Sequence, residues 1–174
     1  MKNNYSFFFL ILVIYLTFSN LVKAKEIFNF DVTEVEIIND GNTFIGKKRG
    51  VVSTENDVFI TADNFEYDKL LNILYAKGNV IVDDKVEGVK IYTEHITYLK
   101  NQEIIFTKWR SKATDIITTI DGDRFRYNKN LNILNAQGNV VINDNQKDYT
   151  IYAEEITYFK NQEKIITLGD TEAK

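Results

Sequence analysis

The chain repeats itself at a fixed offset of 60 residues, and this repeat constrains its fold more than any other feature. Residues 60–114 align with residues 120–174 without a gap, with 27 identities in 55 pairs. The densest blocks are YTEHITYLKNQEIIFT (92–107) against YAEEITYFKNQEKIIT (152–167), and LNILYAKGNV (71–80) against LNILNAQGNV (131–140). Such self-similarity is typical of repeat proteins, whose units bury their apolar faces against each other. The sequence therefore predicts repeat units over about 60–119 and 120–174.

Each unit divides again into two similar halves. The four halves carry Asp63-x-Phe65-x-Tyr67, Glu94-x-Ile96-x-Tyr98, Asp123-x-Phe125-x-Tyr127 and Glu154-x-Ile156-x-Tyr158. A weaker copy precedes them, with Val32, Val35 and Ile37 followed by Thr43-Phe44-Ile45-Gly46. Apolar residues at every second position indicate half-buried strands, and the polar stretches between them suit turns. Each half is therefore predicted to be a β-hairpin, and the chain to be all-β.

The period-two pattern also predicts which side chains face the interior. The inward set is Phe65, Tyr67, Leu74, Ala76, Val80, Val82, Ile96, Tyr98 and Ile105, together with the residues 60 positions later. The outward set includes Glu66, Lys77, Lys129 and Gln137. Gly78 and Gly138 occupy matched positions and predict a bulge or bend that curves the sheet.

The first 24 residues follow the order of a secretory signal peptide: a basic start, an apolar run and a small residue at the end. Lys2 is followed by an apolar run that starts at Phe7, and Ala24 ends the segment as a small residue at the expected cleavage site. An uncleaved N-terminal membrane anchor is the alternative. Removing residues 1–24, which contain two lysines and no acidic residue, changes the net charge from −4 to −6. An acidic chain without basic blocks argues against nucleic acid as a partner.

One phrase resembles a known family. It runs from Ala62-Asp63-Asn64-Phe65-Glu66-Tyr67-Asp68 to Leu74-Tyr75-Ala76-Lys77-Gly78-Asn79-Val80, and its copies extend over residues 30–174. This phrase is similar to the OstA-like repeat of periplasmic lipopolysaccharide-transport proteins, the family of LptA, which also includes the N-terminal domain of LptD. The pattern is weakest at Trp109-Arg110-Ser111, where Gly-Asn-Val is missing.

The resemblance implies a domain over residues 25–174 that folds as a twisted, open β-jelly roll. It further implies a periplasmic protein that shields the acyl chains of lipopolysaccharide in an apolar groove, in outer-membrane biogenesis. Other transport components at both ends, and head-to-tail copies of the chain, are the implied partners. The groove candidates are the inward positions Phe65, Tyr67, Ile96, Tyr98, Phe125, Tyr127, Ile156 and Tyr158. Each of these is also a candidate for a purely structural core residue, and the four tyrosines for hydrogen bonding within the core.

The sequence predicts no catalytic residue, metal ligand or cofactor site. His95 is the only histidine, its counterpart is Glu155, and there is no cysteine, so an activated nucleophile or zinc site lacks its usual residues. Asp63, Glu94, Asp123 and Glu154 recur once per hairpin, which favours turn or backbone hydrogen bonding over acid–base chemistry. Asp83-Asp84 and Asp121-Gly122-Asp123 lack a full set of calcium ligands.

Two alternative functions remain open at this point. The first is a structural or self-assembling exported β-repeat protein without a ligand, which requires a core filled with large residues in every layer. The second is a membrane-anchored component similar to LptC, which shares the fold. Small inward residues at Ala76, Gly78, Ala136 and Gly138 favour a conduit, because a conduit needs spare room. Trp109 is assigned either to the core or to the mouth of the groove.

Overall fold

The computed structural model describes residues 27–144 and 146–174, and these residues form fourteen strands and no α-helix. The predicted signal peptide, residues 1–24, lies outside the described residues. The strands are β1 (Asn29–Ile38), β2 (Thr43–Ser53), β3 (Val58–Ala62), β4 (Asn64–Asp68), β5 (Ile73–Asp84), β6 (Val89–Leu99), β7 (Ile104–Thr107), β8 (Ser111–Thr114), β9 (Thr118–Gly122), β10 (Arg124–Asn128), β11 (Ile133–Asp144), β12 (Tyr149–Phe159), β13 (Lys164–Leu168) and β14 (Glu172–Ala173). Short 3-10 turns cover Lys100–Gln102 and Lys160–Gln162. The prediction of an all-β fold is confirmed.

All fourteen strands belong to one antiparallel sheet that follows the chain as a meander. We call each pass of the chain across this sheet a rung. A rung is either one long strand or two short consecutive strands: β3 with β4, β7 with β8, β9 with β10, and β13 with β14. The described chain therefore makes ten rungs. Among the described strands the sheet is open, because β1 at one edge pairs only with β2 and the last rung at the other edge pairs only with β12.

The repeat seen in the sequence is a structural repeat. The six strands from β3 to β8 recur as the six strands from β9 to β14, and β4, β5 and β6 begin 60 residues before β10, β11 and β12. The weaker copy is the β1–β2 hairpin. It forms the first two rungs, so each predicted half-repeat contributes two rungs to the same sheet.

Every rung bends near its middle, and the aligned bends form what we call the corner. In β5 the corner is a bulge between Lys77 and Val80, and in β11 it lies between Gln137 and Val140. Gly78 and Gly138 lie in these bulges at φ +82° and +78°, where residues with a side chain are disfavoured. The predicted glycine bulges are therefore confirmed.

The corner divides the sheet into two layers that face each other. The first layer contains β4, β7, β10 and β13 with the adjoining halves of the long strands. The second layer contains β3, β8, β9 and β14 with the other halves. The inward side chains of both layers form one apolar core. This arrangement is the jelly roll that the resemblance implied.

The two layers are staggered along the stack. Asp84, at the end of the fourth rung in the second layer, meets Lys129, which follows the seventh rung in the first layer. The ring of Phe28 packs edge-on against Tyr67 and Tyr98, at centroid distances of 4.9 and 5.7 Å. Because of this stagger, the first layer extends beyond the second at the N-terminal end of the stack.

Within the described ranges, no helix has the length and the apolar character needed to cross a bilayer.

Candidate functional site

The eight groove candidates all point into the space between the two layers. They are 0–6% exposed: Phe65, Tyr67, Ile96, Tyr98, Phe125, Tyr127, Ile156 and Tyr158. The other predicted inward positions are also buried, except Ile165 near the last edge, which is half-buried. The period-two pattern thus identified the inward face correctly. Whether these residues contact a ligand remains a prediction.

Pairing between neighbouring strands arranges the inward side chains in rows that cross every rung. One row of the first layer is Ile37, Phe44, Tyr67, Leu74, Tyr98, Ile105, Tyr127, Leu134, Tyr158 and Ile165. A matching row of the second layer is Phe30, Val52, Ile60, Val82, Ile91, Ala113, Ile120, Ile142, Ile151 and Ala173. Neither row contains a charged residue. At about 4.8 Å per strand spacing, ten rungs give an apolar track roughly 40 Å long.

The track is exposed at its N-terminal end. Val35 and Ile37 belong to the inward face of β1 but are 46% and 56% exposed, because none of the described second-layer strands covers them. Phe44, next to Ile37, is half-buried. At the other end Ile151 and Ile165 are only half-buried. The apolar interior therefore reaches the surface at both ends of the described stack.

Each tyrosine of the first-layer row uses its hydroxyl at the rim of the interior. Tyr67 donates to Asn72 at 2.9 Å, Tyr158 donates to Asp115 at 2.9 Å, and Tyr98 donates to Glu103. Tyr127 lies 3.3 Å from both Asp84 and Asn132. Burial raises the pKa of all four phenols, and nearby carboxylates raise it further. The predicted hydrogen-bonding role in the core fits these contacts.

Lys129 was predicted to face outward, and this prediction was wrong. Its ammonium group is buried and lies 2.9 Å from the Asp84 carboxylate, which is fully buried. The reason is partly local and partly tertiary. Lys129 follows the end of β10, where strand alternation no longer fixes the direction of a side chain, and the buried carboxylate across the interior attracts it.

The recurring carboxylates at Asp63 and Asp123 hold the corner. The Asp63 amide donates to the Gly78 carbonyl at 3.0 Å, and its carboxylate accepts from Asn79 and Arg49, both at 2.7 Å. Asp123 makes the matching contacts with Gly138, Asn139 and Arg110. Hydrogen bonds from Asn79 and Arg49 lower the pKa of Asp63. Glu94 and Glu154 lie at the exposed side of the corner. The contacts of Asp63 and Asp123 are structural.

Gly78 and Gly138 were predicted to leave spare room in the interior, and the structure assigns them a different role. A Cβ atom at Gly78 would lie 2.6 Å from an oxygen of Asp63, and one at Gly138 would lie 2.6 Å from Asp123. These glycines allow the carboxylates to approach the backbone at the corner. Ala76 and Ala136 are buried in the core between larger neighbours. A small cavity of about 20 Å³, room for roughly one water-sized sphere, remains between the layers.

The other residues singled out from the sequence lie away from the interior. Trp109 is 58% exposed and contacts the ring of His95 at a centroid distance of 5.7 Å, so it lies outside the core. It belongs to the link between β7 and β8, the point where the repeat pattern is weakest. Asp83 forms ion pairs with Lys85 and Lys90. The described residues contain no cluster of three histidine or carboxylate side chains that could hold a metal ion.

A comparison with solved structures finds a similar fold. LptH from Pseudomonas aeruginosa, the LptA homologous periplasmic component of the conserved lipopolysaccharide transport device, superposes with a TM-score of 0.57. The match has 17% sequence identity and covers 63% of this chain and 81% of that chain. No family model matches the sequence, and no curated protein matches it. The chain therefore has an LptA-like fold.

Proposed function

We propose that this chain binds lipopolysaccharide in the periplasm and helps to transport it, shielding the acyl chains between its two layers. The unbroken apolar rows that cross all ten rungs are the single observation that carries this proposal. An LptA-like fold supports it. The outer face mixes charged, polar and apolar side chains, such as Glu66, Lys77 and Tyr75, so the interior, whose rows contain no charged residue, is the surface that suits a lipid tail.

The energetics favour acyl chains as the ligand. Burial of a hydrocarbon chain contributes about 0.8 kcal/mol per CH₂ group. A track of roughly 40 Å is longer than one extended acyl chain at any common length, so several chains fit along it side by side or in succession. The interior is filled by its own side chains in this conformation, so binding requires the layers to move apart.

The ends of the stack suit partners of the same architecture. At the N-terminal end, the outer edge of β1 pairs with no other described strand and lies next to the exposed side chains of Val35 and Ile37. An exposed edge can accept a strand from a neighbour. We propose that other transport components, or further copies of this chain head to tail, cover these ends and extend the track from the inner to the outer membrane.

We also propose that residues 1–24 direct export. A cleaved signal peptide suits a free periplasmic carrier, whereas an uncleaved segment would make the chain a membrane-anchored component similar to LptC. N-terminal sequencing of the exported protein distinguishes these two outcomes. In either case we propose that the protein is not an enzyme, since the buried Asp84 and the tyrosines act in hydrogen bonds and ion pairs between structural elements.

The test is photo-crosslinking in cells that make lipopolysaccharide. A photoreactive p-benzoylphenylalanine is placed at the inward positions Tyr98 and Phe44, and at the outward control position Lys77. We expect lipopolysaccharide to be captured from the inward positions and not from position 77. Phe44 is half-buried and therefore tolerates the larger side chain more readily than Tyr98.

One observation favours a second candidate function. The interior is closely packed, as expected for a structural β-repeat protein without a ligand. Absence of lipid capture at both inward positions, in variants that are folded and exported, would support this scaffold function and contradict the transport proposal.

A further inference from the structure

The two layers are joined by the corner along one side, and on the other side they meet at their turns. We call these opposed turns the lips. The first-layer lip consists of the turns at 68–72, 100–103, 128–132 and 160–163, and the second-layer lip of those at 54–57, 84–88 and 115–117. No backbone ladder crosses from one lip to the other among the described strands. In the described part of the chain, side chains alone hold this side of the interior closed.

These side-chain contacts are polar and occur at two places. At the first, Lys129 lies 2.9 Å from Asp84, and Asn132 donates to Glu87. At the second, the Tyr158 hydroxyl donates to Asp115 at 2.9 Å. Such contacts can be exchanged for contacts with water when the lips separate, which an apolar contact cannot do without exposing apolar surface.

An apolar cavity lies behind the lips between these two places. Its walls include Val89, Ala113, Ile120 and Leu134, and its rim includes Asp115 and Lys160. Ile120 and Leu134 belong to the apolar rows of the two layers. The cavity therefore connects the lips directly to the track.

We propose that the lips are a lateral portal, through which the acyl chains of an amphiphile enter and leave the interior while its polar headgroup stays in water. This inference rests on the proposed lipid-binding function and specifies the route to that site. The alternative is that the whole lipid is threaded through the open ends of the stack while the lips stay closed. That route would draw the polar headgroup past roughly 40 Å of apolar track, at the full cost of removing polar groups from water.

The experiment uses a reversible bridge across the lips. The chain contains no cysteine, so two introduced thiols are the only ones present. Glu87→Cys and Leu131→Cys place thiols on opposed turns, because the Glu87 side chain contacts Asn132, the neighbour of Leu131. Leu131 is 59% exposed, so its replacement does not disturb the core. A short bis-methanethiosulfonate joins the thiols, and dithiothreitol separates them.

The matched control carries the same bridge within one layer. Glu66→Cys and Tyr75→Cys lie directly opposite each other on β4 and β5, on the outer face. Both proteins also carry p-benzoylphenylalanine at Tyr98 in the middle of the track. Purified full-length protein is mixed with lipopolysaccharide, and capture at position 98 is followed over time, with the bridge closed and after reduction.

The portal predicts that the 87–131 bridge slows capture by about tenfold or more, as expected for a closed gate, and that reduction restores it. The 66–75 bridge should leave capture unchanged. Equal capture with the 87–131 bridge closed and open would show that lipid enters through the ends, and would overturn the portal alone. Absence of capture in every form, reduced and folded proteins included, would overturn the portal together with the proposed function.

Discussion

At the scale of single residues, the contact between Asp84 and Lys129 is the most consequential in the described chain. Both side chains are buried, and they join turns 45 residues apart in sequence. Removing charges from water is costly, so a buried pair adds little net stability compared with a well-packed apolar pair, but breaking it is expensive. The pair therefore fixes how the two layers close on each other more than it increases overall stability.

Lys129→Met should destabilise the protein by about 3–5 kcal/mol, because it leaves the buried Asp84 carboxylate without a cation. Urea denaturation measures this loss. The control is Lys47→Met, which breaks an exposed pair with Glu36 and should cost less than about 1 kcal/mol. The double variant Asp84→Leu with Lys129→Met should recover most of the loss. Similar small losses for both single variants would show that the buried pair has no special role.

The raised pKa of Tyr158 predicts that the protein becomes less stable at alkaline pH. Burial and the neighbouring Asp115 raise the pKa of this phenol from its ordinary value near 10 to about 12 in the folded protein. The folded state thus keeps a proton that the unfolded state has lost. The contribution is present in full below pH 10 and is lost as the pH rises through about 12.

Measuring the free energy of unfolding between pH 9 and pH 12 tests this expectation, because this range ends at the raised pKa of Tyr158, about 12. Tyr158→Phe should make the curve less steep in this range. Tyr152→Phe, which changes an exposed tyrosine, is the control and should leave the slope unchanged. An identical slope in the Tyr158 variant would contradict the assignment.

At the scale of the strand elements, the corner converts a simple meander into two layers. In each unit an aspartate, an asparagine and a glycine form the bend, as Asp63, Asn79 and Gly78 do in the first. The sequence identified this glycine as a bulge because it repeats at a matched strand position. The role of the aspartate was less visible, since its partner Arg49 lies outside the repeat phrase. Local patterns predicted the bend, and tertiary contacts determined which side chains support it.

Gly78→Ala tests the corner. The left-handed backbone alone should cost about 1–2 kcal/mol, and crowding against the Asp63 oxygen should add about 1–3 kcal/mol. Gly41→Ala is the matched control, because Gly41 also has a positive φ of +86° but has open space where the Cβ would lie. Thermal and urea unfolding compare the two variants. If Gly78→Ala lowers the stability no more than Gly41→Ala does, the close contact between position 78 and the Asp63 oxygen does not constrain the corner.

At the scale of the whole molecule, the stagger of the two layers determines what is exposed. It leaves the inward side chains of Val35 and Ile37 uncovered, and it brings residues into contact that are 43–45 positions apart, such as Tyr158 with Asp115. The inward positions were predictable from the sequence, because alternation is a local property of a strand. The stagger and the lip contacts were not, because they depend on twist accumulated over several rungs. The misassigned Lys129 is a direct result of this difference.

End-to-end association is the expected consequence of this exposed end. Replacing both Val35 and Ile37 by lysine should weaken self-association, since it places charge on an apolar contact surface. Sedimentation velocity over a range of concentrations measures the effect. The control is Tyr75→Lys, on the outer face of β5 and away from both ends of the stack, which should associate like the unchanged protein. Equal association of the Val35/Ile37 variant would exclude this end as the interface.

The central claim is that acyl chains bind on the inward face, and methyl NMR tests it most directly. Isoleucine methyl groups are labelled, and spectra are recorded as lipopolysaccharide is added. Inward methyls are provided by Ile96, Ile105 and Ile156, and outward methyls by Ile81 and Ile166. The account predicts large shifts of the inward methyls, with the outward methyls unchanged. Shifts confined to the outward methyls, or none with the protein folded, would contradict it.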